Sequence, residues 1–307
     1  MISTVAARPA TEASAAVPAG EWIGANRGEV DRLLNEHGAV LVTGLDVRSA
    51  ADLAAARHAI GATPVGLAED FAPRTDLGHG VYSAPSWEAD REMCLHHERS
   101  YAVDYPRLLF MTCLRRPERG GATLLADTRD VLAALPAGLA ERFRTHGWLL
   151  TRNYRPYFGL PWSEAFGART PAEVERLCAK RDIRAEWLRD GTLHTTQRRP
   201  AVVTHPVGGQ RCWFNQVAFF SQWSVDATER DLLLTTFGEH GIPFNTASGD
   251  GTPLSAEEFQ AILDAYDSAL RRLQWRPGDL LILDNVRTAH GREPHTGDRK
   301  VAVAMAR

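Results

Sequence analysis

The chain has 307 residues, 44% of them hydrophobic and 24% charged, which fits a folded globular protein and not a disordered, collagen-like or membrane-spanning one. Lys and Arg total 35 against 38 Asp and Glu, a net charge of −3 with no long basic block, so nucleic acid is not an expected partner: neutralising phosphates needs a concentrated cationic face. No apolar run approaches the roughly 18 residues of a membrane span, and Cys94, Cys113, Cys178 and Cys212 form no Cys-x-x-Cys motif, so a cytoplasmic protein with free thiols is expected.

Residues 1–20, rich in Ala, Ser, Thr and Pro, are expected to be a flexible tail, and 21–307 a single domain. A helix is predicted over 22–36, a buried strand over 38–44 between two glycines, and a second helix over 49–60 that Ser49 caps with Asp52 in its first turn. The run 108–114 reads as a central strand, 117–121 as a turn and 122–126 as the next strand. Segment 153–162, aromatic with Pro and Gly, is either a lid that excludes water or a packed surface loop. A helix over 170–180 carries Pro171 in its first turn, and short strands are expected at 183–188, 201–205 and 212–215. A long helix over 255–273 opens with Ser255 and Glu258 as a capping box; a turn at 275–279 and strands at 280–283 and 300–305 close the chain. Many short strands with helices between them predict a mainly β fold with inserted helices, a sandwich or jelly-roll core.

The chemistry starts at Leu95-His96-His97-Glu98-Arg99-Ser100-Tyr101. If this stretch is extended, His96 and Glu98 share one face while His97 and Arg99 share the other. An imidazole and a carboxylate so placed can take adjacent positions around a metal, although His-x-Glu alone also suits a solvated strand. The third ligand is expected from His290, which follows the strand at 280–283 and precedes Gly291; His295, in a turn, ranks below it. Two histidines and one carboxylate leave three positions free on ferrous iron for a chelating cosubstrate and oxygen. Arg299 could hold a dicarboxylate there through a bidentate salt bridge.

With these motifs in view, the sequence resembles the TauD/TfdA-like (clavaminate synthase-like) iron(II) and 2-oxoglutarate-dependent oxygenases. The matching pieces are LHHERSY at 95–101, YPRLLFMTC at 105–113, RPERGGATLLADTR at 116–129, GLPWSEAFG at 159–167, QRRPAVVTHPVGGQRCWFNQ at 197–216, WRPGDLLILDN at 275–285 and AHGREPHTGDRKVAVAM at 289–305. They run in the family's order over most of 38–305, with the greatest similarity to SyrP-like members of nonribosomal peptide and modified amino acid pathways. The resemblance implies a double-stranded β-helix (jelly-roll or cupin-like) core, with His96, Glu98 and His290 as the catalytic iron ligands and Arg299 and Thr123 contacting 2-oxoglutarate. His97 stands where relatives often carry Asn, and Val303 where many carry the cosubstrate arginine. Halogenating relatives have Gly or Ala at the carboxylate position, so Glu98 argues against halogenation.

The activity so implied consumes Fe(II)-bound 2-oxoglutarate and O2 and hydroxylates an unactivated C–H bond. The substrate would be an amino acid or amino-acid-derived molecule, free or tethered to a carrier protein, as in antibiotic biosynthesis. Desaturation, epoxidation or cyclisation would use the same ligands. A non-redox cupin-like metal-binding protein is the alternative of another class, and it has no reason to combine Arg299 with Thr123. Arg155, Arg292, Tyr101 and Asn215 are candidates for substrate contact, with Arg99, Arg129, His79 and Trp223 behind them.

Overall fold

The computed structural model describes residues 2–6, 17–67, 69–155 and 159–307. Strand Leu108–Arg115 lies inside a six-stranded sheet, and its side chains show how the layers form. Leu109, Met111 and Cys113 point to one face and Phe110 to the other, as two-residue alternation requires. The adjacent strands Gly278–Asp284 and Lys300–Ala306 repeat this: Leu281, Leu283, Val301, Val303 and Met305 join the first face, and Leu280, Ile282, Ala302 and Ala304 the second. Ala39–Val47 and then Ile2–Ala6 extend the sheet on one side, Val81–Ser83 on the other. Ile2–Ala6 pairs in parallel with 39–43, so the expected tail contains a strand; residues 7–16 of it lie outside the described residues.

Helices Ala19–Ala25, Arg27–His37 and Ala50–Ala59 cover the second face with Ile23, Val30, Leu34 and Leu53. The expected helix over 22–36 is thus two helices, divided at Asn26, whose side-chain amide bonds back to the Trp22 carbonyl. Against the first face lies a second sheet, in the order Leu270–Leu273, Thr123–Asp127, Thr288–Arg292, Met93–His96, which contributes Leu125 and Leu273 to the shared core. Its outer residues Leu124, Ala126 and Ala289 pack under helices Thr128–Ala134, Ala137–His146 and Ala256–Ser268.

That last helix ends sooner than its sequence suggests. Leu270 to Leu273 leave it to pair with Ala126 to Thr123, a case where sheet pairing overrides helical spacing. A third sheet, Phe244–Ser248, Trp148–Tyr154, Leu193–Arg199 and Arg184–Trp187, carries helix Pro171–Lys180 on one side. Residues 153–154 and 162 of the expected lid belong to the end of a strand and the start of a short helix, and 156–158 lie outside the described residues. The result is a mixed α/β fold with several sheets, and among the described residues no sheet closes into a barrel. No described helix is long and apolar enough to cross a membrane.

Candidate metal centre

His96 ends its strand directly opposite His290, so both side chains leave the second sheet on the same face and their ring centroids lie 4.5 Å apart. His290 is also opposite Leu125, whose side chain sits between the two large sheets, which places both imidazoles on that inner face. Close approach of the strands depends on Gly291: a Cβ there would lie 2.5 Å from the Met93 carbonyl oxygen.

Beyond His96 the chain does not stay extended. It turns, with Arg99 in the left-handed region at φ 54°, so strand parity is not what unites His96 with Glu98. A side chain from the end of Gly278–Asp284 sets Glu98 instead. The Asn285 amide oxygen accepts from the Glu98 backbone N–H at 2.8 Å, while its Nδ2 donates to the carbonyls of Glu98 at 2.9 Å and Pro106 at 2.8 Å. His97 is turned away into the core between the carbonyls of Asn285 and Trp213. The outcome is that ligating atoms of His96, Glu98 and His290 all lie within 4.8 Å of one another.

Each of the three is buried. Burial holds His96 and His290 below the usual histidine range, His290 far below it, so both rings are neutral and can offer a lone pair. His96 Nδ1 lies 2.9 Å from the Cys94 carbonyl, which makes Nδ1 the protonated nitrogen and leaves Nε2 free. Burial works against charge on Glu98, but the Arg74 guanidinium outweighs it and keeps the carboxyl below its ordinary value. Arg74 Nη2 donates to both Glu98 oxygens, at 2.8 and 2.9 Å, from a side chain that is 1% exposed. The buried Nδ1 of His290 finds no hydrogen-bond partner among the described residues. Two neutral imidazoles, one of them unsatisfied, and an ionised carboxylate are the two-His, one-carboxylate donor set suited to ferrous iron.

Arg299 and Thr123 also meet. Arg299 Nε donates to the Gly121 carbonyl at 3.0 Å and Nη2 lies 3.4 Å from the Thr123 hydroxyl, which also accepts from Trp275 Nε1 at 2.8 Å. No carboxylate among the described residues pairs with Arg299, and burial lowers it to about 10. Thr123 is two residues along its strand from the partner of His290, about 7 Å at the usual rise per residue. On the other flank, the Phe219 ring lies tilted against His96 at 4.5 Å and borders a cavity of about 320 Å³ walled by Phe71, Trp87, Phe220 and Phe244.

The remaining candidates are committed elsewhere. Arg155 bonds Asp190, Thr192 and the Gly241 carbonyl at the third sheet. Arg292, two residues beyond His290, donates to the carbonyls of Glu88 and Arg91. The Tyr101 hydroxyl donates to the Glu69 carbonyl, and the Asn215 amide is spent on Ala201 and Val217. Arg99 bonds the Gly66 carbonyl, Arg129 pairs with Asp127 and Trp223 donates to the Leu254 carbonyl, while His79 lies in a turn whose backbone carbonyl accepts from Arg57. Sequence reasoning missed Arg74, Phe219 and Asn285. Asn285 alone had a visible signal, its place at the end of a strand inside a recognised motif.

The model of the family described as "Taurine catabolism dioxygenase TauD, TfdA family" matches residues 6–305. The chain is 30% identical over 276 residues to the dapdiamide synthesis protein DdaC of Enterobacter agglomerans, covering 90% of this chain and 84% of that one. It is 27% identical over 289 residues to a clavaminate synthase-like protein of Arabidopsis thaliana, covering 91% and 84%. Among solved structures, an asparagine oxygenase in complex with Fe(II), 3-hydroxyasparagine and succinate superimposes with a TM-score of 0.56 at 13% identity, over 93% of this chain and 79% of that one. PvcB of Pseudomonas aeruginosa does so at 0.54 and 15%, over 99% and 86%. At such identities the structural likeness speaks for the fold alone.

Proposed function

The chain belongs to the TauD/TfdA dioxygenase family, and from that premise we propose that it hydroxylates an unactivated C–H bond of an amino acid or amino-acid-derived molecule, using Fe(II), 2-oxoglutarate and O2. The observation that carries this is the convergence of His96, Glu98 and His290, with the carboxylate kept ionised by Arg74. When bound, ferrous iron supplies the redox chemistry: 2-oxoglutarate and O2 are consumed, succinate and CO2 leave, and one oxygen atom passes to the substrate.

The chain's own groups hold and exclude. Arg299, a buried cation without a carboxylate partner, anchors the distal carboxylate of 2-oxoglutarate with the Thr123 hydroxyl beside it. Asn285 holds the Glu98 backbone on both sides, so the carboxylate departs from one fixed position. Phe219 and its aromatic neighbours keep water from the side of His96 where a substrate C–H would approach. Glu98 fills the position that a halide would need, which favours oxygen transfer.

The two facing sheets are read as the halves of a double-stranded β-helix core within a single domain over 21–307, and SyrP-like enzymes as the nearest subgroup. A relative named for dapdiamide synthesis and a structural neighbour holding hydroxyasparagine support an amino acid substrate in specialised metabolism. Four unpaired cysteines support a cytoplasmic setting. The test is succinate formation from 2-oxoglutarate under O2, with and without Fe(II), together with mass spectrometry of candidate amino acids. Iron-dependent succinate and a gain of one oxygen atom are expected; no succinate with any substrate, or succinate independent of iron, refutes the reading.

A further inference from the structure

Building on the oxygenase reading, we propose that Arg74 and Asp70 receive the carboxylate and the ammonium of a free α-amino acid whose side chain is apolar. The first observation is a half-used guanidinium. Arg74 shares Nη2 between the two oxygens of Glu98, yet its Nη1 is buried with no hydrogen-bond partner among the described residues, on a side chain that is 1% exposed. A buried N–H with no acceptor is rare in a settled structure and marks where an acceptor belongs. Beside a metal ligand, an oxygen anion of the bound ligand is the natural one, and a planar guanidinium suits a carboxylate.

The second observation is the carboxylate four residues earlier. Asp70 has no hydrogen bond or ion pair to its side chain among the described residues, although it lies within electrostatic reach of Arg74, Glu98, Arg99 and Arg152. Its backbone is pinned: the Asp70 carbonyl accepts from Arg152 Nη2 at 2.8 Å, and the preceding Glu69 carbonyl from Arg152 Nη1 at 3.0 Å and Tyr101 at 2.9 Å. The backbone that carries Asp70 is therefore held in place, and four residues on Arg74 reaches the carboxylate of Glu98. One buried donor without an acceptor and one carboxylate without a protein partner among the described residues form a pair that a zwitterion complements.

The third observation is what lies between them in sequence. Phe71 and Ala72 line the cavity of about 320 Å³, together with Trp87, Phe219, Phe220 and Phe244. Phe219 packs edge-on against Phe71 at 5.1 Å and lies tilted against His96 at 4.5 Å, so the apolar cavity adjoins the metal centre that Arg74 also touches. A cavity with aromatic walls favours an apolar side chain over an amide or a guanidinium. A thioester-tethered substrate has no carboxylate to give Arg74, so the arrangement selects the free acid.

The test uses the full chain loaded with Mn(II) and 2-oxoglutarate without O2, so that no turnover occurs, and titrates L-phenylalanine, L-phenylalaninamide and 3-phenylpropionate by calorimetry, then the leucine counterparts of all three. R74Q is expected to weaken the amino acid and the deaminated acid about 10- to 100-fold more than it weakens the amide, whose own loss reports the support that Arg74 gives Glu98. D70N is expected to weaken the amino acid and the amide similarly and to spare the deaminated acid. Arg74→Lys, which keeps a cation beside Glu98, gives an intermediate loss and serves where R74Q does not fold. Equal losses across all three ligands, or failure of every ligand to bind the wild-type protein, overturn the proposal. So does a loss by R74Q confined to 2-oxoglutarate, because the acceptor then belongs to the cosubstrate. Binding of 2-oxoglutarate without any of the amino acids removes this inference and leaves the oxygenase reading standing; no binding of 2-oxoglutarate removes the reading itself.

Discussion

Replacing Asn285 with alanine isolates the contact that sets the metal carboxylate. The side chain is fully buried and makes three hydrogen bonds, all to backbone groups: the N–H and C=O of Glu98 and the C=O of Pro106. Truncation leaves those three groups in the core without their partner. At about 1–3 kcal/mol for each buried group left unpaired, less what an entering water recovers, the loss is roughly 3–5 kcal/mol. At about 2–4 °C per kcal/mol, the midpoint of thermal unfolding should fall by roughly 6–20 °C. Metal affinity should fall with it, because the turn bearing Glu98 loses its fixed position. Scanning fluorimetry reads the first effect, and titration of Mn(II) against the electron paramagnetic resonance of the free ion reads the second. A variant that melts within a degree or so of wild type and binds Mn(II) as tightly would refute the idea that Asn285 positions Glu98.

Glu98→Ala should abolish metal binding and turnover and also destabilise the apoprotein by about 3–5 kcal/mol, because Arg74 becomes an unpaired buried cation; the double variant with Arg74→Met should regain stability in urea melts but not activity. Burial pushes Asp70 up to about 6 from 3.8, so the folded state holds its proton over a range where the unfolded chain has released it, and stability falls as pH rises between those values. D70N should therefore match wild type near pH 4 and exceed it above pH 6 by at most roughly 3 kcal/mol, as urea midpoints at the two pH values will show. Arg299→Ala should raise the 2-oxoglutarate concentration needed for half-maximal succinate formation far more than it lowers the rate at saturation, with Arg299→Lys in between. Gly291→Ala should cost about 1–3 kcal/mol and weaken Mn(II) binding, since its Cβ meets the Met93 carbonyl where the two histidine strands approach.

Residue type and motif order made the metal ligands legible, because few side chains bind ferrous iron and the motifs around His96 and His290 are specific. The route by which they meet was not legible. Extended parity was expected to join His96 to Glu98, whereas the chain turns at Arg99 and a side chain from residue 285 holds Glu98. Arg74 comes from an irregular segment with no periodicity to read, and its pairing with Glu98 over 24 positions is a product of tertiary folding alone. The helix over 255–273 shows the same limit in the fold: Leu270 and Leu273 fit a helical stripe, yet Thr123–Asp127 offered an open edge and took them into a strand. Patterns local in sequence were readable, including the Ser49 cap, Pro171 in a first helical turn and the capping box at Ser255. Features that need two distant segments were readable only where a motif tied them together.

The most direct measurement is Mn(II) binding, under anaerobic conditions, to the wild-type chain and to His96→Ala, Glu98→Ala and His290→Ala, each checked for folding by circular dichroism. The expected result is one tightly bound ion for the wild-type chain and none for any folded variant. Retention of the ion by all three folded variants would mean that these side chains do not share a cation.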